Sequence, residues 1–328
     1  MKVLYVLENY PQDSESYVEA EISYFQKKGV EIEVCSPVVG YGNVDVPVHR
    51  RPLASAIQTA KPDLVHIHYL SAAESHLRAI PPGLPVTIRA HSFDWSVEEA
   101  YRVANTGKVR AIYAFPHLAR QAANGVVVPL PVAYDSSLFW RYPKVKSLVL
   151  RLAAGRRVKG LDDFLHVGNR ILDARFVLGV CPVRGDESYV AELRETNRAL
   201  GGRVQIRSAG TDLTRTEAVY LTRMAGIYLD TSDPKGHPFG MPISIAEALA
   251  TGAYVLAREN ESVGEYMGEA AATYKSVDEA EAMVRFALLR SDAWWSAVAA
   301  VACARSLAFR DDIHLFKVLN DWTGFVQR

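Results

Sequence analysis

Short runs of apolar and β-branched residues alternate along the chain with segments of helical periodicity. In the first half, strand-like runs occupy residues 3–7, 31–35, 64–68, 86–89 and 111–114. A helical pattern at 17–28 separates the first two of these runs. In the second half, strand-like runs occupy residues 148–152, 175–180, 204–207, 227–230 and 254–257. Helical patterns separate them at 162–172, 187–200, 214–224 and 242–250. Because such alternation is typical of parallel strands joined by crossover helices, it predicts an α/β fold with two Rossmann-like domains.

A polar segment at 134–146, which includes Pro143, separates the two halves and fits a linker. We therefore expect an N-terminal domain at 1–143 and a C-terminal domain at 144–311, with a last helix at 312–328 that packs back on the first domain. Ligands of open parallel sheets bind beyond the carboxyl ends of the strands. We expect the two domains to face each other across a cleft lined by such strand ends.

The composition narrows the function classes. Of the 328 residues, 49% are hydrophobic, and 37 Lys and Arg balance 37 Asp and Glu. A chain with zero net charge has no long-range basic field, so a nucleic-acid partner is not expected. The three cysteines lie far apart without a C-x-x-C pair, which favours the reducing cytoplasm over a disulfide framework or a zinc ribbon. The longest apolar stretch, 294–304, is too short to span a membrane, and contact with a membrane surface stays open.

One apolar helical segment carries the most informative pattern. Pro242 suits the first turn of a helix, and Gly252 suits its carboxyl end. Glu247 lies among apolar neighbours on this helix, and a buried carboxylate needs a partner. The hydroxyl groups of a ribose would be such a partner, and solvent or a structural arginine is the alternative. The free backbone N–H groups near Gly240 and Met241, at the positive end of the helix dipole, would suit a phosphate.

A second pattern is a basic loop between a predicted strand and a predicted helix, bounded by Gly155 and Gly160. Arg156, Arg157 and Lys159 place three cations within four residues, enough to neutralise a diphosphate. A solvated surface loop is the alternative, although the position at a strand end favours binding.

Histidines follow two strands of the first half. His91 comes after a strand and precedes Asp94, so it is a candidate donor to a sugar hydroxyl or to a developing charge, with a structural role as the alternative. His66 and His68 lie two residues apart on a strand and share one face. No carboxylate or cysteine stands nearby at ligand spacing, so no metal site is predicted.

Several catalytic templates are absent from the sequence. Residues 8–16 contain no glycine, so the dinucleotide-binding fingerprint is missing after the first strand, and no P-loop pattern occurs. The G-x-S-x-G nucleophile elbow is missing as well. Dinucleotide binding, ATP hydrolysis at a P-loop and serine hydrolysis are therefore disfavoured.

Taken together, these residues resemble the retaining glycosyltransferases of family 4, which have the GT-B fold. The resemblance covers nearly the whole chain, and its matching segments are 10–22, 63–68, 88–94, 127–139, 155–161 and 239–252. The last two segments, similar to the family's "GR…KGL" and "EGFG.P..EA.A.G" patterns, are the most specific.

The resemblance implies transfer of a sugar, with retention at the anomeric carbon, from a UDP- or GDP-linked donor to a saccharide, lipid-linked or small-molecule acceptor in polysaccharide assembly. It implies no cofactor besides the donor, and no metal. The residues that it implies for the donor side are Arg156, Arg157, Lys159, Phe239, Gly240, Met241, Pro242 and Glu247. Those that it implies for catalysis are His91, His237 and Glu247. The expected acceptor-side residues are Ser14, Ser16, Tyr17, His68 and Asp94.

The sequence departs from the family pattern at one carboxylate. The family's first acid would stand eight residues before Glu247, where this chain has Phe239, and His237, two residues earlier, is the candidate replacement. The gap between Arg156 and Lys159 is shorter than usual, which leaves Arg157 as an alternative phosphate ligand. A non-catalytic glycosyltransferase-like binding or scaffold protein, and a nucleotide-sugar epimerase of the same fold, stay as alternatives.

Overall fold

A computed structural model of the chain describes residues 1–11, 15–40, 45–91, 93–122, 125–183, 186–233 and 242–327. The chain divides into two compact units. The first consists of Met1–Ala133 with Asp311–Arg328, and the second consists of Tyr134–Arg310. Each unit has its own sheet and its own buried core.

The first unit is built on seven parallel strands. They are β1 Lys2–Val6, β2 Glu31–Cys35, β3 Val48–His49, β4 Leu64–His68, β5 Val86–Arg89, β6 Val109–Ala114 and β7 Val127–Pro129. Its helices up to that point are α1 Ser16–Lys27, α2 Leu53–Ala60, α3 Leu70–Leu77, α4 Val97–Ala104 and α5 Pro116–Ala119. The strand order is β3-β2-β1-β4-β5-β6-β7. Because crossover helices cover both faces of such a sheet, its central strands are buried, and all of β4 is buried although it carries His66 and His68.

The second unit repeats this plan with six parallel strands. They are β8 Val145–Ala154, β9 Arg175–Cys181, β10 Gln205–Ser208, β11 Ala225–Asp230, β12 Tyr254–Arg258 and β13 Ala271–Tyr274. Its helices are α6 Leu161–Arg170, α7 Glu187–Ala199, α8 Arg215–Met224, α9 Ile243–Ala250, α10 Glu261–Met267, α11 Val277–Leu288 and α12 Asp292–Ser306. The strand order is β10-β9-β8-β11-β12-β13.

The last helix, α13 Asp311–Val326, returns to the first unit and packs beside α1. Its Trp322 has no exposed surface, and its ring centroid lies 4.5 Å from that of Phe25 on α1. The core of the first unit therefore includes residues from both ends of the chain.

The predicted α/β fold with two Rossmann-like domains is confirmed. Three strands, β3, β7 and β13, were not predicted, because β3 and β7 have only two and three residues and β13 contains two alanines, which carry little strand signal. The division between the units falls at Ala133 and Tyr134, whereas the predicted boundary lay near residue 143. The polar segment after Ala133 packs on the second unit, where the N–H of Tyr134 donates to the carbonyl of Phe309 (3.0 Å) and Arg223 lies 3.7 Å from the ring centroid of Trp140.

Within the described ranges, none of the helices combines the length and the apolar character that a membrane crossing needs.

Candidate active site

Both sheets reverse their strand order beside a central strand, between β1 and β4 in the first unit and between β8 and β11 in the second. Ligands of open parallel sheets bind at such switch points, beyond the carboxyl ends of the strands. Of the predicted site residues that the structure describes, Arg156, Arg157 and Lys159 lie in the segment that follows β8, and Pro242 lies between β11 and α9.

The loop after β8 has a path that only glycine permits at one position. Gly160 has a φ of +56°, and a Cβ there would overlap the carbonyl oxygen of Thr231. Two hydrogen bonds fasten the loop to the segment after β11. The N–H of Asp233 donates to the carbonyl of Val158 (2.9 Å), and the hydroxyl of Thr231 donates to the carbonyl of Lys159 (3.1 Å). The basic loop is therefore an ordered part of the switch point of this unit.

Arg151, on β8, is a buried residue beneath this loop that sequence reasoning missed. Its guanidinium pairs with the carboxylate of Asp230 at the end of β11, and it donates to the hydroxyl groups of Ser232 (2.9 Å) and Tyr228 (3.2 Å). Burial alone would raise the pKa of Asp230, but Arg151 and hydrogen bonds from Ser232 lower it overall. A single arginine in an apolar strand was the sequence signal that could have identified this pair.

The three cations of the loop have different surroundings. Burial and the positive charge of Arg151 lower the pKa of Lys159 to about 8. Arg156 is exposed, and its guanidinium forms no ion pair with any residue of the described ranges. Arg157 pairs with Glu192 on α7. The structure therefore separates Arg156, whose guanidinium forms no ion pair in the described ranges, from Arg157, which is paired with Glu192.

Glu247 lies on α9, whose residues from Ile245 to Ala250 are all buried. Its side chain is 3% exposed, and the Nη2 atom of Arg215 on α8 lies 3.5 Å from its Oε1 atom. Burial raises the pKa of Glu247, and the nearby Arg215 opposes that rise. The structural arginine that the sequence left open is thus present, but its contact is long and its own side chain is 38% exposed.

Five predicted site residues lie outside the described residues. They are Ser14, His237, Phe239, Gly240 and Met241. Pro242, which follows them, is the residue that precedes the first turn of α9.

In the first unit, His91 lies just past the end of β5 within a group of aromatic rings. The distances from its ring centroid are 4.9 Å to Tyr69, 5.0 Å to Tyr17, 5.6 Å to His68 and 5.8 Å to Phe93. Phe93 is half-exposed, whereas His91 is 5% exposed. Burial lowers the pKa of His91 well below its usual value, so its imidazole is neutral at physiological pH.

Asp94 connects the ends of β4 and β5. Its Oδ1 atom accepts the backbone N–H of His91 (2.6 Å), and its Oδ2 atom accepts the backbone N–H of Leu70. Burial raises its pKa to about 6, and these backbone N–H groups oppose the rise. Between the two strand ends, Tyr69 has a φ of +77°, which is uncommon for a residue with a side chain. Asp94 therefore fixes the backbone that carries His91.

The other acceptor-side candidates that the structure describes are mostly buried. Ser16 is 8% exposed at the start of α1, and the Tyr17 hydroxyl lies 3.5 Å from that of Tyr69. The side chain of His68 has no exposed surface, and its Nδ1 atom lies 3.4 Å from Nε2 of His91. His68 thus lies behind His91 and does not reach solvent.

Glu21, on α1, places a carboxylate beside the histidine pair of β4. The potential ligand atoms of Glu21, His66 and His68 all lie within 4.8 Å of one another. The sequence argument that no carboxylate stands near the pair was wrong, because Glu21 comes from a distant segment. Nε of Arg89 lies 4.0 Å from Oε1 of Glu21, so a metal ion would add positive charge to a site that already buries a cation. The absence of a metal stays a prediction.

Neither a protein-family model nor the sequence of a curated protein matches the chain. Solved structures match its fold over nearly the full length of both chains.

The crystal structure of Anabaena HepE in complex with UDP and glucose is 16% identical, with a TM-score of 0.75, and the match covers 99% of this chain and 100% of that one. A glycosyltransferase from Rickettsia africae is 13% identical, with a TM-score of 0.73, over 100% of this chain and 99% of that one. Sucrose-phosphate synthase from Thermosynechococcus elongatus is 14% identical, with a TM-score of 0.72, and the match covers 99% of this chain and 98% of that one. At such low identity these likenesses establish the fold that the chain shares with them.

Proposed function

We propose that the chain is a retaining glycosyltransferase of the GT-B fold, similar to family 4, that moves a sugar from a nucleotide-diphosphate donor to a saccharide or glycoconjugate acceptor. The resemblance of its motifs supports this proposal. The fold likeness supports it as well, since HepE was solved with UDP and glucose and the Rickettsia protein is a glycosyltransferase.

The observation that carries the proposal is the placement of Arg156 and Lys159 at the carboxyl end of β8. The helix α6 begins at Leu161, directly after them, so its free N–H groups add partial positive charge. A guanidinium and an ammonium at a helix N-terminus suit the oxygens of a diphosphate. Arg151 is already paired with Asp230, so this proposal assigns anion binding to Arg156 and Lys159 of the loop.

Glu247 and His91 have separate roles in this proposal. Glu247 accepts hydrogen bonds from the ribose hydroxyls of the donor, and His91 contacts the transferred sugar. The bond from the anomeric carbon to the diphosphate breaks as the acceptor oxygen attacks from the same face, and the acceptor proton passes to the departing phosphate oxygen. Arg156 and Lys159 balance the charge that develops on the leaving diphosphate, so the step requires no metal and no cofactor besides the donor.

Calorimetric titration with UDP and with GDP tests the donor site. We expect one of them to bind, and we expect Arg156→Ala and Lys159→Ala each to weaken binding by about 10- to 100-fold, the loss typical of one charge-assisted contact. Arg157→Ala should cost less, because Glu192 holds its guanidinium. Arg175→Ala, an exposed arginine at the opposite end of the sheet, is the matched control and should bind as the unmodified chain does.

Two results would contradict the donor site. One is that neither nucleotide binds. The other is that Arg156→Ala and Lys159→Ala bind as tightly as Arg175→Ala.

The reaction type has its own tests. Release of free nucleotide that depends on an acceptor supports a transferase and excludes a non-catalytic binding protein, whereas conversion of the donor without an acceptor would indicate an epimerase. Proton NMR of the product distinguishes retention from inversion at the anomeric carbon. Turnover that persists in a chelator would support a step without a metal.

We further propose that the protein acts in the cytoplasm, in polysaccharide or glycoconjugate assembly. Cys35, Cys181 and Cys303 form no disulfide with one another, which suits a reducing compartment.

A further inference from the structure

Three side chains behind the strand end at His91 form a continuous polar series in an otherwise apolar core. Nε2 of His91 lies 3.4 Å from Nδ1 of His68, and Nε2 of His68 lies 3.6 Å from Oε2 of Glu21. The Nε2 atom of His68 has no hydrogen-bond partner among the residues that the structure describes, and the Glu21 carboxylate that it faces is a charge contact at 3.6 Å. Each nitrogen of His68 therefore faces one neighbour of the series.

The inner end of the series meets a buried cation. Arg89 is 3% exposed, and its Nη1 and Nη2 atoms donate to the carbonyls of Leu130 and Pro131 (both 3.1 Å). Its Nε atom lies 4.0 Å from Oε1 of Glu21. One oxygen of Glu21 thus faces a guanidinium and the other faces His68, which suits an ionised carboxylate that only accepts.

The neighbouring polar rings do not compete for these atoms. Nδ1 of His66 lies 2.8 Å from the hydroxyl of Thr87, and Tyr5, whose ring centroid is 5.6 Å from that of His68, has a hydroxyl without a hydrogen-bond partner among the described residues. The titratable and charged groups around His68 are therefore Glu21, Arg89, His66, His91, Tyr5, Tyr17 and Tyr69.

The series fixes the positions of two protons. When Glu21 is ionised it only accepts, so the Nε2–H of His68 is directed at it across 3.6 Å and His68 keeps a lone pair on Nδ1. His91 then donates to His68 from Nε2 and keeps its own lone pair on Nδ1. Neutral histidines have one N–H each, so with Glu21 ionised no other arrangement directs a proton into both contacts.

We propose that Glu21 and His68 are positioning residues that hold His91 in the tautomer with its proton on Nε2. This inference rests on the proposed function only in that it gives His91 a substrate. His91 meets a sugar hydroxyl as an acceptor, through Nδ1, and not as the donor that the sequence suggested.

NMR of the protein labelled with ¹⁵N in its histidines tests the assignment directly, because the two ring nitrogens of each tautomer differ in chemical shift. We expect His91 and His68 both to carry the proton on Nε2, with the signals assigned by their loss in His91→Asn and His68→Asn. The spectra are recorded at pH 8.5, since burial raises the pKa of Glu21 to about 7 although Arg89 opposes this rise.

The variant Glu21→Gln sharpens the test. Arg89 only donates, so it should take the amide oxygen and leave the amide N–H₂ facing Nε2 of His68. The proton of His68 would then move to Nδ1, and that of His91 would move to Nδ1 in turn. Glu33→Gln, in the separate pair of Glu33 with His49, is the matched control and should leave the His91 signals unchanged.

The proposal is overturned by a spectrum of the unmodified chain with the His91 proton on Nδ1. This test does not depend on the folding of any variant. It is also overturned by a folded Glu21→Gln variant with an unchanged His91 tautomer. One equivalent of tightly bound zinc that is lost in His66→Ala would overturn it too, because a metal would occupy His68 Nε2 in place of the proton.

Kinetics connect the tautomer to turnover. We expect Glu21→Gln to lower kcat by about tenfold, the value of one misdirected hydrogen bond, with the donor KM unchanged. If the spectra agree and no sugar is transferred by any variant or by the unmodified chain, the proposed function fails while the assigned tautomer stands.

Discussion

Glu247 and Glu21 are both buried carboxylates, but different arginines accompany them. Arg89, beside Glu21, is buried and held by two carbonyl groups, so it has no freedom to leave. Arg215, beside Glu247, is 38% exposed at a contact of 3.5 Å. Glu247 is therefore the acid that can exchange its partner for the hydroxyl groups of a ligand, because water can solvate the guanidinium of Arg215 once it is displaced.

The variant Glu247→Ala should lower kcat/KM by about 30- to 1000-fold, which corresponds to ~2–4 kcal/mol of transition-state stabilisation for a buried, charge-assisted contact. Steady-state kinetics with a donor that the calorimetry identifies would measure it. Glu195→Ala is the matched control, since Glu195 is an exposed acid on α7 whose contact with Arg198 is long, at 4.0 Å.

Unchanged turnover in Glu247→Ala would assign that acid to structure. Arg215→Ala separates the two roles further. If pairing with Arg215 were the purpose of Glu247, both variants would destabilise the fold by similar amounts and neither would change donor affinity.

The helix α13 completes the core of the first unit, although the whole second unit lies between it and Ala133 in the sequence. Trp322 is buried, with ring centroids 4.5 Å from Phe25, 5.1 Å from His66 and 6.2 Å from Tyr5. The three partner rings belong to α1, β1 and β4, so α13 packs on the sheet beside the strand that carries His66 and His68.

Truncation of this ring should be costly. We expect Trp322→Ala to lower the free energy of unfolding by about 3–5 kcal/mol, the range for a large buried aromatic, as measured by urea denaturation. Phe316→Ala, on the same helix at 53% exposure, should change it by less than about 0.5 kcal/mol. Equal losses in the two variants would contradict the packing of α13 on the sheet through Trp322.

Local patterns were enough to predict most of the strands and about half of the helices, because buried strands and amphipathic helices repeat apolar positions at a regular spacing. They predicted β4 with its two histidines at the correct positions. They did not predict the neighbours of those histidines, since the contact between Glu21 and His68 joins a helix to a strand through folding alone. The pairing of Arg157 with Glu192 was equally invisible, because α7 approaches the loop only in the folded unit.

Among the described residues, burial lowers the pKa of histidines in the first unit and of lysines in the second. In the first unit, burial lowers the pKa of His66 to about 3 and that of His68 well below its usual value. In the second, burial lowers the pKa of Lys144 to about 7 and that of Lys159 to about 8. Unfolding would release the histidines to bind protons below about pH 6.5, and the lysines to bind protons up to about pH 10. These four groups thus give the free energy of unfolding an acid-range dependence in the first unit and an alkaline-range dependence in the second.

The alkaline range gives a prediction with a definite sign. Between about pH 7 and pH 10, Lys144 is neutral in the folded chain and protonated in the unfolded one, so the unfolded state binds more protons and the free energy of unfolding rises with pH. We expect a rise of up to about 1.4 kcal/mol per pH unit from each of Lys144 and Lys159 between pH 7 and 9, measured by guanidinium denaturation.

Lys144→Met should remove the contribution of Lys144 to this rise in the free energy of unfolding. Lys146→Met, two residues along the chain at a lysine that pairs with Asp292 near the surface, should keep the full slope. A free energy of unfolding that does not change with pH in the unmodified chain, or equal slopes in the two variants, would show that Lys144 keeps its proton in the folded protein. Its hydrogen bonds to the Arg223 carbonyl (2.7 Å) and the Thr251 hydroxyl (2.8 Å) would then outweigh the effect of its burial.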